Sequence, residues 1–128
     1  MRKFLLTLLL CLSLTGCGGP SEANSYQQID AEEAKTMMDT VEEALILDVR
    51  TEGEFAEGHI PDALLLPVDD IDEPSAAALI PDQETTVLVY CRSGNRSRTA
   101  AQKLADLGYT AVYEFGGIRD WPYDIVAE

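Results

Sequence analysis

From residue 26 onward the apolar positions fall into short blocks of two alternating kinds. Ala44 to Val49 (ALILDV), Leu64 to Leu66, Thr86 to Tyr90 (TVLVY) and Ala111 to Phe115 (AVYEF) are compact apolar or β-branched runs, as expected of strands buried on both faces of a sheet. Tyr26 to Ile29 adds a short first strand. Between these runs lie helical signals. Asp30 with Glu33 three residues later predicts a capping box opening a helix over 31–40. Pro74 to Leu79 predicts a small helix, and Ser97 to Leu107 a longer one closed by Gly108. The polar stretch TEGEFAEGHIPDA (51–63) reads as a connection, and Gly116-Gly117 as a turn into a short helical tail. Strands alternating with helices at this spacing imply an α/β domain: a mostly parallel sheet flanked by helices on both faces. In such sheets function sits at the carboxyl ends of the strands.

The first 25 residues follow different rules. Arg2 and Lys3 precede an apolar stretch, Phe4 to Leu14 (FLLTLLLCLSL), which is the length of a signal peptide and too short to span a bilayer as a helix. Leu14-Thr15-Gly16-Cys17 resembles the lipobox of bacterial lipoproteins. That resemblance implies cleavage after residue 16 and acylation of Cys17, with two or more chains giving stable membrane anchoring where one does not. Residues 18–25 (GGPSEANS) are a flexible tether. The organisation expected is a signal peptide over 1–16, a lipidated tether over 17–25 and one domain over 26–128, exported to the cell envelope and facing away from the cytoplasm.

Charge narrows the partners. The 128-residue chain has 9 Lys+Arg against 23 Asp+Glu, a formal net charge of −14. Losing residues 1–16 leaves 7 basic residues and a net charge of −16. Such a field argues against nucleic acid and against anionic lipid as binding surfaces, so membrane contact is expected through the lipid alone. A monomer is expected. Of three cysteines, Cys11 goes with the signal and Cys17 carries lipid, leaving Cys91 as the one free thiol and no internal disulfide.

Cys91 stands where chemistry is expected. The strand TVLVY delivers it into CRSGNR, whose Gly94 and Asn95 tolerate the positive φ that turns successive N–H groups toward an anion. The helix that follows favours thiolate over thiol, and reactive cysteines in such positions have pKa values of roughly 3.5–7.5. Arg92, Arg96 and Arg98 crowd the same seven positions. Cations at a helix N-terminus cost a few tenths to about 1 kcal/mol. The pattern therefore predicts an anionic guest.

LDVRTEGEFAEGHIPDA, the loop CRSGNR and the ending FGGIRDW resemble the single-domain rhodanese sulfurtransferases along nearly all of residues 26–126. The resemblance implies the rhodanese fold, with a central five-stranded sheet, and a known chemistry. The loop cysteine, here Cys91, takes a sulfane sulfur from a small anionic donor such as thiosulfate, holds it as a persulfide and passes it to cyanide or a thiol, including a protein thiol. It implies that the backbone of Arg92, Ser93, Gly94, Asn95 and Arg96 cradles the persulfide, that Arg92 and Arg96 face the donor, and that Asp48 and Arg50 support the loop from beside it. No cofactor and no metal are implied. His59 is expected to fix the turn it sits in, Trp121 to line the core or cleft, and Asp62, where many members have Gly, to adopt the left-handed conformation.

Two alternatives use the same residues. Cysteine phosphatases and arsenate reductases place five residues between the cysteine and a phosphate-binding arginine; here that position is Ser97, with arginines one short at Arg96 and one beyond at Arg98. A tethered module that docks a partner or relays sulfur through Cys91 is the other. An intact loop favours catalysis over docking alone.

Overall fold

The computed structural model describes residues 25–127. Five parallel strands form one sheet in the order β1-β5-β4-β2-β3: β1 (Gln27–Gln28), β2 (Leu45–Asp48), β3 (Leu64–Leu65), β4 (Val87–Cys91) and β5 (Val112–Gly117). The alternation of side chains along the central strands divides the core into two layers. Leu47, Val49, Val87, Val89 and Cys91 face one side, packed against Ala76 of α3 (Glu73–Leu79) and Ala100, Ala101 and Leu104 of α4 (Asn95–Asp106). Ile46, Leu88 and Tyr90 face the other, beneath Ala34 and Met37 of α1 (Ala31–Thr40), with Phe55 of α2 (Glu52–Glu57) at the edge of the cluster. Helices thus cover both faces, as the buried runs require.

Three helices open on reciprocal caps. Asp30 accepts from the N–H of Glu33 at 2.8 Å, and Glu33 accepts from that of Asp30 at 3.1 Å, starting α1 where the sequence placed it. Thr51 and Glu54 do the same for α2, and Asp72 and Ser75 for α3. The helix α2 corrects the reading of residues 51–63 as a connection. It is six residues long with no buried residue, so it has no apolar stripe to announce it, although Thr51-x-x-Glu54 was a visible start signal. Single turns of 3-10 helix at Val68–Asp70 and Ile118–Asp120 complete the chain.

One boundary matters for the site. The helix after Cys91 starts at Asn95, two residues before the expected Ser97, with Gly94 as its N-cap at φ 109°. The loop is therefore only Arg92 to Gly94. Asn95 and Arg96 belong to the first helical turn.

Candidate active site

Cys91 is the last residue of β4 and is 1 % exposed. The chain must reverse within three residues to start α4, and the left-handed Gly94 makes that possible. Its backbone N–H then points at Cys91 Sγ from 3.0 Å. The Ser97 hydroxyl, completely buried, lies 3.4 Å from the same sulfur. Burial pushes the thiol pKa up, but hydrogen bonds from the Ser97 side chain and from the backbones of Ser97, Gly94 and Ser93 outweigh it, so the pKa lies below the ordinary thiol value.

The strand β5 closes the site from beneath. Its Gly117 passes so near the loop that a Cβ there would sit 1.9 Å from the Arg92 carbonyl oxygen, and the N–H of Arg119 donates to that oxygen at 3.2 Å. Glu114 of the same strand is 2 % exposed and reaches under α4. Its Oε2 is 2.5 Å from Ser97 Oγ and accepts from the Gly116 N–H at 2.9 Å, while Oε1 accepts from Gln28 Nε2 at 3.1 Å.

Asp48 and Arg50 form a buried ion pair at the end of β2. Arg50 Nη2 donates to Asp48 Oδ2 at 2.7 Å and to the Gly58 carbonyl at 2.7 Å, while Nε donates to Asp48 Oδ1 at 2.9 Å. The Tyr90 hydroxyl donates to Asp48 Oδ2 at 2.6 Å and accepts from the Ile60 N–H at 3.1 Å. Burial together with the bond to Asp48 pushes the Tyr90 pKa far up, so the phenol stays protonated. This network ties β2 and β4 to the segment after α2. Its bonds run among Asp48, Arg50 and Tyr90 and to the Gly58 and Ile60 backbone, and none of them reaches the sulfur.

The loop arginines divide. Arg92 lines a cleft of about 400 Å³ with Arg50, Glu54, Glu57, Gly58, Arg119 and Ile125. Arg96, expected to meet a donor, is engaged in a two-pronged pair: Nη1 donates to Glu54 Oε1 at 2.8 Å and Nη2 to Oε2 at 3.0 Å. That hydrogen-bonded pair holds the Glu54 carboxyl down at about 2. Cys91 also acts electrostatically on Arg96, so the guanidinium is within range of a charge on the sulfur. Arg98 bonds Asn95 Oδ1 at 2.8 Å, and both are exposed. Cys17 lies outside the described residues.

The remaining marked residues are structural. His59 stacks on Phe55 with ring centres 3.8 Å apart, holds the Phe55 carbonyl through Nδ1 at 2.9 Å, and pairs by its backbone with Val126. Asp62 adopts φ 72°, the left-handed conformation expected of it. Trp121 packs on Phe115 and Tyr123. Sequence reasoning passed over Glu54, Glu114 and Arg119, and met Ser97 only as a helix start and as the place of a phosphatase arginine. The signal for Glu114 was there, a lone carboxylate inside the apolar run AVYEF.

Known proteins resemble the chain in sequence and in fold. Residues 30–123 match the family model of the rhodanese-like domain. A sulfurtransferase from Allochromatium vinosum is 41 % identical over 95 residues, covering 73 % of this chain and 86 % of that protein. The thiosulfate sulfurtransferase PspE of Escherichia coli is 36 % identical over 74 residues, 58 % of this chain and 70 % of the relative. Among solved structures, a rhodanese-like domain protein from Staphylococcus aureus superposes with a TM-score of 0.69 at 29 % identity, covering 80 % of this chain and 98 % of the other. An E. coli rhodanese solved with anions gives 0.62 at 30 % identity, over 66 % and 99 %. With its parallel sheet, its cysteine at the end of β4 and relatives named as sulfurtransferases, this chain belongs to the rhodanese-like domain family.

Proposed function

We propose that the protein is a sulfurtransferase that carries sulfane sulfur as a persulfide on Cys91, taking it from thiosulfate or a related anionic donor and passing it to cyanide or a thiol. The Cys91 thiolate attacks the outer sulfur of thiosulfate. A new S–S bond forms, the bond to the sulfonate sulfur breaks, and sulfite leaves with the electron pair. An acceptor nucleophile then attacks the terminal sulfur, and Cys91 departs as thiolate.

The observation that carries this reading is the Gly94 N–H aimed at Sγ from 3.0 Å at the start of α4. A donor fixed there stabilises an anion on the sulfur before and after transfer, at no cost in reorganisation. Arg92 and Arg119 in the adjoining cleft suit the sulfonate end of the donor. The backbone of Ser93, Asn95 and Arg96 completes the cradle. With the helix beginning at Asn95, the loop is small for a tetrahedral phosphate and its oxygens.

Cys17 we propose as the lipid attachment point, with residues 17–25 holding a monomeric domain within roughly 30 Å of the bilayer on the side away from the cytoplasm. The test of the chemistry is mass. Incubation with thiosulfate should add one sulfur atom, mapped to Cys91 and removed by cyanide or thiol, with negligible hydrolysis of aryl phosphates. An adduct on another residue, or phosphate hydrolysis without sulfur transfer, would overturn it.

A further inference from the structure

A cavity of about 740 Å³ opens on the side of the sheet opposite Cys91, against the core layer beneath α1. Met38 of α1, Ile46 of β2, Ile60 and Trp121 give it an apolar wall. It shares no lining residue with the cleft that holds Arg92, so it is separate from the reacting sulfur. Its volume falls within the ~300–1,000 Å³ of small-molecule sites. We propose that this cavity binds a small organic cation, with the apolar body of the guest on that wall and its ammonium head drawn by the carboxylates that line the same space.

Charge selects the guest. Asp39, Glu43, Asp62 and Asp124 line the cavity with four carboxylates, against one ammonium, that of Lys35. Lys35 is committed to Asp39 at 2.9 Å. Among the described residues no ion pair reaches Glu43, Asp62 or Asp124. Three negative charges beside an apolar wall repel an anion and attract a cation. The molecule already seats an ammonium here: Lys35 Nζ stands 5.7 Å from the centre of the Tyr123 ring, within reach of a cation–π contact. Tyr123 in turn meets Trp121 edge to face, with ring centres 4.9 Å apart. An anionic lipid, or a second copy of this chain with its formal charge of −14, would bring negative charge to a negative lining.

The backbone fixes two of the carboxylates in place. Glu43, between α1 and β2, and Asp62, between α2 and β3, have φ of 64° and 72°. They are the non-glycine residues with positive φ among the described residues, and both line this cavity. Such a conformation is uncommon outside glycine. Glycine would sit more easily at either position, so what the two side chains add there is charge.

Trp121 is the chain's single tryptophan, so its emission reads the cavity directly. The full chain is titrated with phenethyltrimethylammonium, phenethyl alcohol and phenylacetate, which share an aromatic body and differ in charge. The cation should bind most tightly and the anion least, and the Kd of the cation should rise with salt. Glu43→Gly combined with Asp62→Gly removes two charges where glycine relieves the backbone, so the variant should stay folded. It should weaken the cation by about tenfold and leave the alcohol where it was. No response to the cation, equal affinity for the three probes, or a cation Kd unchanged in the double variant would overturn the proposal. So would a lysine-rich peptide that moves the emission where the small cation does not, since the cavity would then belong to a protein partner. Sulfur transfer has no part in the readout, so this result stands apart from the persulfide reading.

Discussion

Gly117 lies directly beneath the Arg92 carbonyl, so that a Cβ on it would overlap the Arg92 oxygen at 1.9 Å and the Ser93 nitrogen at 2.6 Å. The active loop rests on bare backbone. Neither neighbour is the movable tip of a side chain, so relief must come from shifting the loop itself. Gly117→Ala should therefore cost about 1–3 kcal/mol of stability. It should also displace the Gly94 N–H from the sulfur, cutting sulfur transfer by more than the stability loss accounts for at a temperature where the variant is folded. Denaturant unfolding with turnover measured in parallel checks this, and unchanged turnover would refute it.

On the proposed chemistry, Glu54 would compete with an anionic donor for Arg96, which it holds in a two-pronged pair. Glu54→Gln should release the guanidinium toward the cleft and lower the KM for thiosulfate. Arg96→Ala should raise that KM, by an amount corresponding to about 1.5–3 kcal/mol if the freed arginine makes one charge-assisted contact. Initial rates over donor concentration for both variants test the opposition in sign. KM moving the same way in both would show that the pair is only a brace.

The same pair sets a pH dependence. Arg96 holds the Glu54 carboxyl at about 2 in the folded chain, below its ordinary 4.5. A depressed carboxyl pKa stabilises the fold above its unfolded value, and the contribution is lost as pH falls through the folded value. The side chains are 35 % and 27 % exposed, so screening limits the effect to about 1 kcal/mol or less. Arg96→Ala should thus be less stable than wild type at neutral pH and indistinguishable near pH 2, as measured by denaturant titration at both.

Among the described residues, Asp48 is the carboxylate that forms an ion pair with Arg50, a residue 5 % exposed. Asp48→Asn should strand the Arg50 charge in the core and cost roughly 3–5 kcal/mol. Replacing both with neutral residues should recover part of that loss. Thermal melts of the single and double variants measure the coupling.

At the other end of the chain, wild-type protein should partition with membranes and carry lipid on Cys17. Cys17→Ser should accumulate as precursor or soluble protein. Mass analysis of the mature N-terminus decides it, and equal partitioning without lipid mass would remove the anchor.

Much of this was legible in the residues because burial on both faces leaves unbroken apolar runs. ALILDV, TVLVY and AVYEF each became a strand, and Asp30 with Glu33 capped α1 as read. What escaped has a common cause. The helix α2 is held by its cap, by the Glu54 pair with Arg96 and by the packing of Phe55, so hydrophobic periodicity could not reveal it. The early start of α4 depends on Gly94 serving as a left-handed N-cap, a conformation that glycine permits without requiring. The engagement of Arg96 by Glu54 joins residues 42 apart in sequence, and nothing local marks it. Ser97 and Glu114 are brought together by the packing of α4 on β5, which no spacing rule encodes.

The two outermost strands, β1 and β3, are each two residues long. A sheet that ends so abruptly offers a passing chain too few open backbone groups to add a further strand. The longer ladders are confined to the interior, between β2 and β4 and between β4 and β5. Crowding many copies onto one surface, the circumstance that most promotes strand exchange between neighbours, would therefore leave each domain self-contained.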